Sequence, residues 1–291
     1  MLATVTSILR ERGLLAPDEE PGYNVTAVSG DVMNIGAHTR DAFFHVKAKK
    51  SGVLPAEYAN YCSAWRSFPQ HVPEPLGCYA KHGREIIVFR GVRHRPVRVG
   101  SIARDQHRVA GKIIGFLKAS VQGATVEHPG AAHRAFLRAL RERTADPISS
   151  GILETWTGAP HLDDLPHISQ HGDFVVNNLG LAGSGLVVFD WEDFGRVSFP
   201  GLDLCTLLAS DTRFTAERLR DLIRGDTRAA PCYSDLLHEA CAVLGLTPQL
   251  FRQLIPLYLV IFLDLKRDYG AAIRDLLGQT LSELQQLIET H

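Results

Sequence analysis

Apolar residues recur at helical spacing in the first fourteen positions, with Leu2, Val5, Ile8 and Leu9 near one face, and predict an amphipathic helix. The next stretch, residues 22–50, reads differently. Gly22, Gly30 and Gly36 break short runs rich in β-branched and aromatic residues, and AFFHVKAKK at 42–50 predicts a strand. Val53 to Trp65 then predicts a helix, with Pro55 in its first turn and Tyr58, Tyr61, Cys62 and Trp65 on its apolar side. Ile86–Phe89 predicts a further strand, with Leu76–Ala80 as its hairpin partner. Beyond Val99 the period changes. Helices are expected over 102–117, 131–143, 201–210, 215–224, 233–244, 248–266 and 271–289, interrupted by a short β-rich insert at 167–190. The pattern predicts an α+β chain whose best boundary lies near residues 90–100. The lobes expected are 1–95, an antiparallel sheet with one helix, and 96–291, mainly helical.

Composition narrows the picture. The chain has 291 residues and a formal net charge of −1, so no global basic field draws it to nucleic acid. No stretch reads as the ~20 apolar residues that span a bilayer. The first residues, MLATVTSILRERGLL, lack a basic n-region and a cleavage signal, and a cytoplasmic location is the expectation. Five cysteines, with no CxxC pair and no Cys/His cluster at ligand spacing, read as reduced thiols rather than a zinc site.

The chemistry concentrates in residues 167–195, HISQHGDFVVNNLGLAGSGLVVFDWEDFG. Asp173 and Asn178 fall on one loop. The apolar strand LVVF at 186–189, preceded by a Gly183/Gly185 turn, delivers Asp190 at its end. A phosphate in transfer carries several negative charges through a loose transition state, so catalysis is mostly positioning and charge neutralisation by Mg²⁺. Mg²⁺ takes hard oxygen ligands. The Asp190 carboxylate and the Asn178 amide oxygen suit it, while Asp173, left off the metal, can orient an acceptor hydroxyl and take its proton.

The ordered set His171-Gly172-Asp173, four residues, Asn178, a hairpin, then Asp190-Trp191-Glu192 resembles the aminoglycoside phosphotransferase and choline kinase family. PGLDL at 200–204 resembles that family's downstream Asp-Leu. The resemblance implies a two-lobed protein-kinase-like fold and transfer of the γ-phosphate of ATP or GTP to a small acceptor, with Mg²⁺. It also implies that Asp203 opens a helix and braces the catalytic loop, and that His171 braces the loop rather than acting as a base. It further requires a strand lysine paired to a helix glutamate. Lys47 and Glu57 fill these places, although Lys49 lies on the same strand face and register alone does not choose. SGDVMNIG at 29–36, with Ser29, Gly30 and Asn34, is the expected phosphate-covering turn. Backbone around Val88, Phe89 and Gly91 is the expected base-binding hinge.

The acceptor is less legible. Glu192 and Asp193 beside the metal site, and Asp264 and Asp268 one turn apart on a later helix, are candidates for a cationic acceptor. The basic run from Arg90 to Arg98 reads as solvated surface, with an anionic acceptor as its sharper alternative. HGDFVVNN resembles hygromycin-type kinases, so an aminoglycoside or other hydroxyl-bearing antibiotic is the leading expectation. A metabolic kinase of choline, a sugar or an amino alcohol, and a noncatalytic nucleotide-binding protein, are the rivals. A protein substrate is disfavoured, because Ser198 is the one hydroxyl between Asp190 and Asp203.

Overall fold

A computed structural model describes residues 1–29, 31–50, 53–104, 106–122, 129–183, 185–225, 231–267 and 271–289. Gly30 and Asp268 lie outside them, and at Ser29 only the backbone is described. The chain forms two compact units, Met1–Arg95 with Gly180–Glu192, and Pro96–Leu179 with Asp193–His291. The stretch 180–192, expected within a continuous 96–291 lobe, thus clusters with the first ninety-five residues.

The first unit is built on a five-stranded antiparallel sheet of β1 (Gly22–Ser29), β2 (Val32–His38), β3 (Phe43–Lys49), β4 (Pro75–Lys81) and β5 (Arg84–Arg90), in the order β1-β2-β3-β5-β4. Strand β3 alternates, with Phe44, Val46 and Ala48 buried and the residues between them half-buried. The buried set joins Ile35, Ala37, Ile86 and Val88 in one apolar layer. Helix α1 (Leu2–Glu11) closes that layer with Val5, Ile8 and Leu9, whereas Leu2 stays exposed at its start. The opposite sheet face carries His45 and Lys47, and is met by helix α2 (Leu54–Ser67), which starts on Leu54-Pro55 and buries Glu57, Tyr61 and Ala64. Tyr61 packs on Phe89 at 4.4 Å between ring centroids.

The hairpin of β7 (Leu179–Ala182) and β8 (Gly185–Val188) follows much later in the chain, after the two-residue strand β6 (Arg95–Pro96). Its membership of the first unit has local causes. The Val188 N–H donates to the His71 carbonyl, and His71 Nδ1 meets the Leu186 carbonyl at 2.8 Å. Trp191 is fully buried, packs on Phe68 at 5.3 Å, and donates its indole N–H to the Val188 carbonyl.

The second unit is helical, with α3 (Ser101–Arg104), α4 (Gln106–Gln122), α5 (Pro129–Glu142), α6 (Pro147–Thr157), α7 (Leu202–Asp211), α8 (Ala216–Arg224), α9 (Pro231–Val243), α10 (Pro248–Leu265) and α11 (Ala271–Glu289). Helix α6 is unheralded in the apolar pattern. It is started by Asp146, whose carboxylate accepts the Ser149 N–H at 2.7 Å, with Pro147 in the first turn. Helix α10 corrects the expectation that no stretch is apolar enough for a membrane, since by length and composition it qualifies. It is the core helix of this unit: Leu254, Ile255, Leu257, Tyr258, Leu259, Val260 and Ile261 are all buried, so it is apolar around most of its circumference. Every residue of α7 is buried as well. Cys62, Cys78, Cys205 and Cys241 are free thiols.

Candidate active site

In the first unit one lysine gathers two carboxylates. Lys47 Nζ lies 2.8 Å from Glu57 Oε1 and 2.8 Å from Asp190 Oδ1. Period-two alternation puts Lys47 on the α2 side of β3, and Glu57 is in the first turn of α2, so the pair is a product of register. This is the lysine the sequence left undecided against Lys49. Burial works to depress the Lys47 pKa, but Asp190 and Glu57 outweigh it and hold the ammonium above the ordinary lysine range.

Asp190 reaches the lysine through an unusual backbone. Its φ is +65°, in the left-handed region that Asp tolerates better than most residues. The turn is held by Tyr61, whose hydroxyl accepts the Asp190 N–H at 2.8 Å. Single carboxylate oxygens of Glu57, Asp190 and Glu192 lie within 4.8 Å of one another. These are hard oxygen donors of the kind Mg²⁺ takes, and they fit a cation held with substrate phosphates.

Beside Lys47, Asn34 pairs with it across β2 and β3. The residues of the expected hinge lie at the end of β5 and just beyond it. Val88 and Phe89 lie inside the sheet, flanked by β3 and β4, because β5 is an interior strand. The Arg90 and Gly91 N–H groups are also committed, to the Glu74 and Phe43 carbonyls. A Cβ at Gly91 would sit 2.2 Å from the Phe43 ring, so this residue serves the close approach of two strands.

The second unit holds the loop. Asp203, in the first turn of α7 and 2% exposed, accepts the His171 N–H at 2.7 Å and the Gly172 N–H at 3.0 Å. Its own N–H donates to Gln170 Oε1. Burial pushes the Asp203 carboxyl above its ordinary range, while His171 and the two N–H donors pull against that. The His171 ring accepts the Asp173 N–H through Nδ1 at 3.2 Å, a bracing contact. Gly172 is required twice, by φ +86° and because a Cβ there would lie 2.8 Å from Asp193 Cβ.

That bracing presents Asp173 with both carboxylate oxygens held. Asn178 Nδ2 donates to Asp173 Oδ2 at 3.0 Å and to its carbonyl at 2.9 Å. Lys266 Nζ lies 3.1 Å from Asp173 Oδ1. Turning its nitrogen to Asp173 directs the Asn178 carbonyl oxygen, a metal-type donor, away from that carboxylate.

Two expected acceptor groups are otherwise engaged. Asp193 is buried, with Lys266 on Oδ2 at 3.1 Å and Arg196 on Oδ1 at 2.6 Å, so it is an internal anchor rather than a carboxylate presented to a ligand. Asp264 is gripped by both Arg143 Nε and a terminal Arg143 nitrogen, at 3.1 and 2.8 Å. Glu192 stays beside Glu57 and Asp190. Lys266 itself carries no sequence signal, since it stands far from every motif.

A sheet-borne lysine paired to a helix glutamate, and an aspartate loop braced from a helix start, are features of protein-kinase-like phosphotransferases, and the fold is theirs. A thermostable mutant of the aminoglycoside phosphotransferase APH(4)-Ia, in a ternary complex with ADP and hygromycin B, matches at a TM-score of 0.60 and 12% identity, covering 98% of this chain and 97% of that one. A macrolide 2'-phosphotransferase, MphH of Brachybacterium faecium, matches at 0.55 and 14%, covering 96% and 97%. At such identities these likenesses speak for the fold alone. Among curated proteins, none matches. Residues 54–236, more than half of the chain, match the phosphotransferase enzyme family, and the chain belongs to that family.

Proposed function

We propose that the chain transfers the γ-phosphate of ATP or GTP to a hydroxyl of a small acceptor, with an aminoglycoside or other antibiotic as the leading class. The observation that carries the reading is the Lys47–Glu57–Asp190 cluster, which draws together residues 10 and 143 positions apart around one ammonium. Nucleotide complexes among similar folds, such as APH(4)-Ia with AMP-PNP and hygromycin B, support a nucleoside triphosphate as co-substrate.

In this reading Lys47, aligned by Glu57, holds the α and β phosphates, and Asn34 belongs to the turn that covers them. Asp173 orients the acceptor hydroxyl. The acceptor oxygen bonds to the γ-phosphorus as the bridge to the β-phosphate breaks, the acceptor proton passes to Asp173, and the nucleoside diphosphate leaves. Asn178 and Asp190 would hold Mg²⁺, which when bound neutralises phosphate charge. Asp203 and His171 keep the loop in shape.

Nucleotide consumption tests this, with ATP and with GTP, across aminoglycosides, macrolides, choline and amino alcohols. Wild type turns over with at least one hydroxyl acceptor, and Asp173→Asn lowers that rate by roughly 10²–10⁴-fold. Equal rates would remove Asp173 as the base. Silence of the wild type across the panel would favour a noncatalytic nucleotide-binding role.

A further inference from the structure

The lysine at the end of α10 has no place in the motifs, yet it touches the residue on which the reaction turns. Lys266 follows the last residue of α10, and its side chain is 3% exposed. Its ammonium lies 3.1 Å from Asp173 Oδ1, 3.1 Å from Asp193 Oδ2, and 5.5 Å from the centroid of the Phe262 ring. Asp193 is in turn fixed by Arg196 and by the Gly172 turn packed against it.

Taking an ammonium and two carboxylates out of water is costly, and their mutual attraction does little more than return that cost. An apolar side chain in this place would fill the same volume without that cost. The arrangement therefore does something other than add stability. With Lys266 on Oδ1 and Asn178 on Oδ2, the two oxygens of Asp173 are gripped by donors from separate parts of the unit, which fixes the plane of the carboxylate. Four charges, on Asp173, Lys266, Asp193 and Arg196, sum to zero.

We propose that Lys266 is a positioning residue for phosphoryl transfer, anchored by Asp193, that sets the carboxylate plane of Asp173 toward the acceptor hydroxyl. This rests on the reading of Asp173 as the base. Reactivity falls steeply with small misplacements of such a group, so Lys266→Met lowers kcat by roughly 10²-fold while the KM for nucleotide changes by less than about threefold. Lys266→Arg retains a charge and a donor and recovers part of the rate.

The test uses the full chain with Mg·ATP, following phosphate release to water and to whichever acceptor of the panel supports turnover. Because Lys266→Met strands two buried carboxylates and can fail to fold, the double variant Lys266→Met/Asp193→Asn restores charge balance. It is expected to unfold close to the wild-type temperature and still to turn over slowly. Wild-type kcat in a folded Lys266→Met or in the double variant overturns the proposal. A rise in nucleotide KM matching the loss of kcat/KM, with kcat intact, overturns it too. Loss of Asp173→Asn activity with full Lys266→Met activity sinks this inference alone, whereas a wild type inactive with every acceptor sinks the underlying reading.

Discussion

Each unit of the chain sets one lysine between two carboxylates, and the two triads differ in their access to water. Lys47 and Asp190 have side chains 14% and 34% exposed, with Glu57 at 2%. Lys266, Asp173 and Asp193 stand at 3%, 12% and 3%. The first triad has a wet side, where the proposed function has Asp190 and Lys47 trade each other for a cation and a phosphate. In the second, Lys266 and Asp193 are sealed and only Asp173 keeps an open edge. Under the proposed function, similar chemistry would serve ligand capture in one case and geometry in the other.

The difference can be broken experimentally. Lys47→Met removes the phosphate grip and is expected to lower kcat/KM by on the order of 10³-fold, about 4 kcal/mol of transition-state stabilisation, with nucleotide KM taking a large share. Steady-state kinetics against Lys266→Met would then separate a KM-type defect from a kcat-type one. Asp193→Ala leaves the buried Lys266 ammonium with Asp173 as its remaining carboxylate partner and an excess positive charge with Arg196, and should cost roughly 3 kcal/mol of folding stability, read from denaturant midpoints. Saturating Mg·ATP at ~100 times its Kd should stabilise the wild type by about 2.7 kcal/mol, seen as a raised melting temperature, and Asp190→Asn should lose most of that gain.

The smallest effect is a pH dependence next to Lys47. Burial, with Lys47 and His94 nearby, depresses His45 from 6.5 to about 4. Between those values the unfolded chain binds the proton and the folded chain does not. Stability is therefore present above pH 6.5 and is lost as pH falls toward 4. His45→Gln should flatten that part of the curve, and melting temperatures taken from pH 7 down to pH 5 would check it.

Much of this was legible in the sequence where residues are local or periodic. The 171–178 loop, the strand that leads toward Asp190 and the alternation that puts Lys47 opposite Glu57 follow from spacing. Helix α6 was missed because Asp146 and Pro147 start it before any apolar period declares itself. Asp193 was misjudged because an aspartate beside a metal-type motif gives no hint that a lysine 73 positions later will bury it. Lys266 and the Tyr61 hydroxyl under Asp190 are long-range partners, and such contacts are set by packing rather than by pattern. That β5 is an interior strand, flanked by β3 and β4, is likewise not written in its apolar run.

The hairpin at 180–192 has a consequence for synthesis. The backbone enters the first unit, leaves it after Arg95 and returns at Gly180 before leaving again after Glu192. A ribosome that has just released the amino-terminal sheet has made neither the tryptophan that plugs its flank nor the aspartate that faces its lysine. That unit has to wait, unfinished, while the stretch from 96 to 179 emerges, which at about 5–20 residues per second amounts to several seconds of exposure. For the same reason, cutting the gene at the first boundary would yield a fragment lacking its own closing piece.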